Sequence, residues 1–116
     1  MPSYCESIWD RCENQLIEGH TDASWYTKNA TSVDFYHGYR YGGLPTCDYT
    51  LYLEYQNSTG GWTVVRSHTG YFKYGVTVSF SLQYCPQAYY RVRGRYQMRG
   101  SSEIDTNTTA KFWVER

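Results

Sequence analysis

Three sets of side chains in this sequence could do chemistry: histidines and carboxylates that could catalyse, cysteines and histidines that could hold a metal, and tyrosines and arginines that could bind. His20, His37 and His68 stand far apart, without an HExxH or comparable ligand spacing, and read as surface or structural histidines. Glu103 and Asp105 could form the carboxylate pair of a glycoside hydrolase. They lie in GSSEIDTN, a turn-type segment in which acidic side chains cap and solvate. Cys5, Cys12, Cys47 and Cys85 lack the CxxC knuckles of a zinc site. The expectation is therefore a chain that is not an enzyme, with no catalytic residues, metal or cofactor.

Binding chemistry is better represented. The chain has 14 Tyr, 4 Trp and 4 Phe, more rings than a core of this size needs, which implies exposed aromatics. The densest run is FYHGYRYGG at 35–43, which places Tyr36, Tyr39, Arg40 and Tyr41 among glycines. Tyr, Arg and Gly together give large contact area at low entropic cost. The competing reading is that these tyrosines cover sheet faces without any ligand, since β-propensity alone selects Tyr. A second set is an arginine ladder. Arg91, Arg93 and Arg95 fall two residues apart, so on one strand face they span ~13 Å, a spacing suited to a polyanion.

The ladder sits in the segment around which the chain is organised, 75–100. There Val76, Val78, Phe80 and Leu82 alternate with polar residues, and Tyr90, Val92, Gly94, Tyr96 and Met98 alternate with Arg91, Arg93, Arg95, Gln97 and Arg99. The expected structure is a hairpin closed through Cys85, Pro86 and Gln87, with Leu82 opposite Tyr90, Phe80 opposite Val92 and Val78 opposite Gly94. A second antiparallel return sets Val114 against Val92, Phe112 over Gly94 and Ala110 against Tyr96. On the outer face this register puts Glu115 beside Arg91, Trp113 beside Arg93 as a cation–π contact, and Lys111 beside Arg95. Trp113 thus joins the candidate binding residues.

Elsewhere 23–28 and 31–41 favour short strands, GGLP is a break, and CDYTLYLEYQ is a strand that turns at 57–61 into a partner at 62–69. Whether Val64 or Val65 faces inward is left open by the five-residue loop. Residues 1–18, with Ile8, Trp9, Cys12, Leu16 and Ile17 as a loose apolar stripe, read as a helical turn or an extended arm. Six to eight strands in 116 residues predict one all-β domain over 1–116, an antiparallel two-layer β-sandwich or, alternatively, a partly closed barrel. Cys47, Trp62 and Cys85 follow the immunoglobulin order, but the interval is short and Gln83 stands where a tyrosine corner needs Tyr.

Eleven basic and eleven acidic residues balance, which argues against nucleic acid or a membrane surface as partner. No apolar run approaches the ~20 residues of a membrane span. Four cysteines without metal spacing suggest two disulfides and an oxidising compartment. Three connectivities are possible, with Cys5–Cys12 and Cys47–Cys85 the first choice. Sequons at Asn29, Asn57 and Asn107 exceed the roughly 0.8 that chance would give.

The stretches GGWTVVRS and YYRVRGRYQ, within about 50–100, resemble small, functionally unassigned secreted all-β proteins of Bacillus-type Gram-positive bacteria. The resemblance implies secretion and a non-enzymatic role and carries over no ligand. The expected function is that of a secreted, disulfide-stabilised recognition protein. It would bind a protein or an anionic glycan through Tyr36, Tyr39, Arg40, Tyr41, Arg91, Arg93, Arg95 and Trp113. The alternative is a subunit of an extracellular filament or coat that self-associates through edge strands.

Overall fold

In the computed structural model, which describes residues 16–116, the alternating segments form strands and no helix is present among the described residues. They are β1 (Ile17–Thr21), β2 (Trp25–Tyr26), β3 (Ser32–Tyr39), β4 (Cys47–Gln56), β5 (Trp62–Phe72), β6 (Gly75–Ser81), β7 (Ala88–Met98), β8 (Asp105–Thr108) and β9 (Phe112–Val114). A three-stranded sheet runs β1-β3-β6 and a larger sheet runs β2-β9-β7-β4-β5, with β8 also paired to β7. The two sheets pack face to face and do not close into a barrel. The sandwich is therefore the architecture, and the barrel alternative falls away.

The alternation does what period-2 patterning requires. Val33 and Phe35 of β3 and Val78 and Phe80 of β6 are buried from one side. Leu51 and Leu53 of β4, Tyr90 and Val92 of β7, and Phe112 and Val114 of β9 are buried from the other. Each such side chain contributes ~1.5–3 kcal/mol through burial, which is what holds the two layers together.

The expected hairpin between β6 and β7 does not form. β6 pairs antiparallel with β3, Phe80 opposite Val33 and Val78 opposite Phe35, while β7 pairs with β4, β8 and β9. The connection at 82–87 crosses from one sheet to the other. Leu82 N–H first extends the β3 pairing by donating to Thr31 O at 3.0 Å, and Tyr84 then turns the chain in the left-handed region at φ 64°. Strands on opposite sheets of one core share the same inward pattern as paired strands, so alternation could not tell them apart.

The antiparallel return onto β7 is present but is split, and at β9 it is shifted by four residues along β7. Phe112 faces Tyr90 and Val114 faces Ala88, while β8 brings Asn107 to Gly94 and Asp105 to Tyr96. Between them Thr109 accepts from Val92 N–H through its hydroxyl at 2.9 Å, a side-chain substitute for the ladder that separates β8 from β9. The ring over Gly94 is consequently Tyr96, on the same strand, not Phe112. The β4–β5 hairpin forms as expected. A bulge there makes Leu53 face Arg66 and Glu54 face Val64, so the extra residue is Val65 and Val64 turns outward.

The expected Cys47–Cys85 disulfide is also absent: both are free, buried thiols. Cys47 lies opposite Met98, whereas Cys85 lies beside Tyr90. Eight residues of extended β7 separate those two positions, ~26 Å, far beyond the reach of a disulfide. The expected helical turn or arm and the Cys5–Cys12 pairing fall outside the described residues. Two of the sequons are used by the fold. Asn57 Oδ1 accepts from the N–H groups of Thr59 and Gly61 at 3.1 Å, shaping the β4–β5 turn, and Asn107 is buried within β8. Asn29 is exposed.

Candidate functional site

The outer face of the large sheet gathers most of the chemistry that the sequence singles out. Direct cross-strand partners share a face, so the register defines its rows. Across one end run Trp25 on β2, Trp113 on β9 and Tyr89 on β7. Along β7 the same face continues with Arg91, Arg93, Arg95 and Gln97.

Glu54 governs two of the arginines. Its buried carboxylate accepts from Arg91 Nε at 2.8 Å through one oxygen, and from Arg93 Nη2 at 3.1 Å through the other. Each guanidinium also lies over a ring, Arg91 over Trp62 at 4.2 Å and Arg93 over Tyr52 at 4.3 Å. The pairing of Arg91 with Glu115 and of Arg93 with Trp113 is therefore overturned. Internal satisfaction holds for both, with the acid supplied by the neighbouring strand β4. Arg99 is matched in the same way, donating to Asp48 at 3.0 Å from Nη2 and lying 5.0 Å from the Tyr71 ring centroid. Arg95 is exposed, and among the described residues it has neither a hydrogen bond nor an ion pair. Lys111 is not its neighbour. It lies over Tyr89, 4.3 Å from the ring centroid.

Trp113 contacts two exposed rings instead of an arginine. Tyr89 meets it edge-on at 4.8 Å and Trp25 at 6.3 Å. Trp25 is 60 % exposed and its indole N–H donates to Glu115, which thereby anchors β2 rather than Arg91. Trp25, Tyr89, Trp62, Tyr52 and Glu54 were not picked out from sequence. Two-residue β2 joins β9 in parallel, and no local pattern signals such a pairing.

The tyrosine run at 35–43 does not form a patch. Tyr39 is 8 % exposed, packs edge-on to Phe72 at 5.2 Å and donates from its hydroxyl to Pro45 O at 2.7 Å. Burial raises its pKa, with Cys47 nearby adding to the shift. It is a core residue and leaves the binding set. Tyr36 is half-buried and spans the paired glycines Gly38 and Gly75. A Cβ at Gly75 would lie 2.3 Å from its hydroxyl, so the glycines make room for the ring. Arg40 continues the β1–β3 pairing by donating its backbone N–H to Leu16 O at 2.7 Å. Of the four, Tyr41 alone is largely exposed, at 63 %. His37 is fully buried among aromatic rings, as a structural histidine would be. Among the described residues no group of three or more His, Cys, Asp or Glu is placed to hold a metal ion.

No protein-family model and no curated protein matches this sequence.

Proposed function

We propose that this chain is a secreted, non-enzymatic recognition module that binds a protein or a glycan through the outer face of its large sheet. The observation that carries the reading is the row Trp25–Trp113–Tyr89 on three adjacent strands, with Trp25 and Tyr89 exposed on a face that no other strand or helix covers among the described residues. Exposed aromatic rings give large contact area at small entropic cost, and sugar rings stack on the same surfaces. Secretion rests on the resemblance of 50–100 to small secreted proteins of Gram-positive bacteria. The two buried free thiols lend it no support.

Glycan arrays and a pull-down from extracellular material, followed by dissociation constants for the ligand found, test this reading. Trp25→Ala should weaken that ligand by about tenfold, the loss expected of a central aromatic anchor, while leaving the two-sheet core folded, because the Trp25 ring lies outside that core. Equal affinity of variant and wild type would overturn the assignment of the site.

A self-associating subunit is the second reading, favoured by one feature: β5 runs for 11 residues with its outer edge unpaired among the described residues. Arg66, His68 and the bulge at Val65 blunt that edge. Chromatography over a hundredfold concentration range separates the readings, since edge pairing requires growth in size with concentration.

A further inference from the structure

Four arginines follow one another on the outer face, but only one is electrostatically open. Glu54 holds Arg91 and Arg93, and Asp48 holds Arg99. Arg95 stands between these pairs with no partner among the described residues. The register sets Thr106 on one side of Arg95 and Thr50 on the other, with Thr69 beyond Thr50. A row Thr106–Arg95–Thr50–Thr69 thus crosses β8, β7, β4 and β5, ~14 Å long at ~4.8 Å per strand. Arg95 and Gln97 line a shallow recess with Asp48, Tyr49, Thr50 and Thr69. The one carboxylate in that lining, Asp48, is neutralised by Arg99 at 3.0 Å, which leaves the recess with a net positive charge from Arg95.

We infer that this recess takes the acidic group of an acidic saccharide, a carboxylate or a sulfate ester, with Arg95 as its docking charge and Thr50, Thr69 and Gln97 meeting adjacent sugar hydroxyls. The inference rests on the recognition reading above and names its ligand class. A guanidinium presents a planar fork of donors that matches two oxygens of an oxyanion. A protein ligand would anchor through an aromatic or aliphatic side chain in a desolvated apolar pocket. Here the lining is hydroxyl, amide and charge, and the ring of Tyr49 is itself buried in the core. The ladder therefore offers a ligand one docking charge rather than the repeated charges that its spacing suggests.

The test is a nitrogen-15 NMR titration with three oligosaccharides of equal length: oligogalacturonate, sulfated dextran and neutral dextran. At least one acidic probe should shift the Arg95 Nε–H signal and the backbone amides of Thr50 and Thr69, and neutral dextran should leave all three in place. Arg95→Gln should weaken that acidic probe by about tenfold, and the affinity of the wild type should fall with added salt. The carboxylate and sulfate arms distinguish the two sources of the anion. Equal affinity in Arg95→Gln, shifts centred on Arg91 and Arg93, or no response of Arg95 to either acidic probe at 10 mM would each overturn the inference. A ligand that engages Trp25 while Arg95 stays unshifted overturns this inference alone. A failure of arrays and pull-down to find any ligand for the face removes the reading beneath it.

Discussion

Acid should destabilise this fold through a single buried imidazole. His37 on β3 is 0 % exposed and is boxed by Phe35, Tyr49, Phe72 and Tyr96 at ring-centroid distances of 5.4, 4.2, 5.1 and 5.6 Å. Its Nδ1 lies 2.8 Å from the Tyr96 hydroxyl, and its Nε2 has no hydrogen-bond partner. Nothing in that box solvates an imidazolium. Burial, with a smaller contribution from His68, pushes the His37 pKa down to about 3. The unfolded chain takes up the same proton near pH ~6.5. Between pH ~6.5 and about 3 the unfolded state therefore binds more protons than the native state. The contribution is fully present above that window and is lost as pH falls through it, at ~1.4 kcal/mol per pH unit.

From pH 7 to pH 5 the loss is ~2 kcal/mol, a large share of the ~5–15 kcal/mol that holds a domain folded. Urea unfolding at both pH values, for the wild type and for His37→Phe, measures it. The variant keeps an aromatic ring but removes the hydrogen bond between the imidazole and the Tyr96 hydroxyl, so it should be less stable at pH 7 by ~1–2 kcal/mol. Its stability difference between pH 7 and pH 5 should nevertheless be ~2 kcal/mol smaller than that of the wild type. Equal pH dependence in the two proteins would refute the reasoning, because the native imidazole would then be accepting a proton.

Glu54→Gln leaves Arg91 and Arg93 half-buried without their shared carboxylate and should lower stability by ~2 kcal/mol in urea unfolding, less than for a fully buried pair because both guanidinium groups touch solvent. Tyr39→Ser should cost ~3 kcal/mol by thermal melting, whereas Tyr41→Ser should stay within ~0.5 kcal/mol, because one ring fills the core and the other faces water. Cys47 and Cys85 should resist iodoacetamide in the native protein and both be alkylated in urea without reductant, as read by peptide mass. Burial removes access to both, and at Cys47 it also pushes the thiol pKa up to about 11.

Much of this fold is legible residue by residue. Val92 and Tyr96 point inward and Arg91, Arg93 and Arg95 outward, as alternation requires. The tyrosine run misleads for a local reason. Gly38 looks like a loop glycine, yet it faces Gly75 across β3 and β6, where a Cβ would meet Tyr74 O at 2.4 Å and Gly75 Cα at 2.6 Å. It serves close approach within a strand, and β3 accordingly continues through Tyr39 into the core. The aromatic row was only half visible. Trp113 follows from the alternation of 110–114, but Trp25 reaches it through a two-residue parallel pairing that leaves no periodic trace.

By itself the sequence determined, along β4, β6 and β7, which side chains face the core and which face water, because a strand's side-chain alternation is a property of consecutive residues. It also determined that arginines would line one outward face. Only the tertiary structure decided which strand lies beside which: two sheets share one core, so β6 and β7 show complementary inward faces while belonging to different layers. The same arrangement set the charge of the ladder. Glu54 and Asp48 lie 37 to 51 residues away in sequence from the arginines that they hold, and they reach them because β4 pairs with β7. Coulomb attraction depends on distance in space, and it is that pairing which leaves Arg95 as the open charge on this stretch of the face.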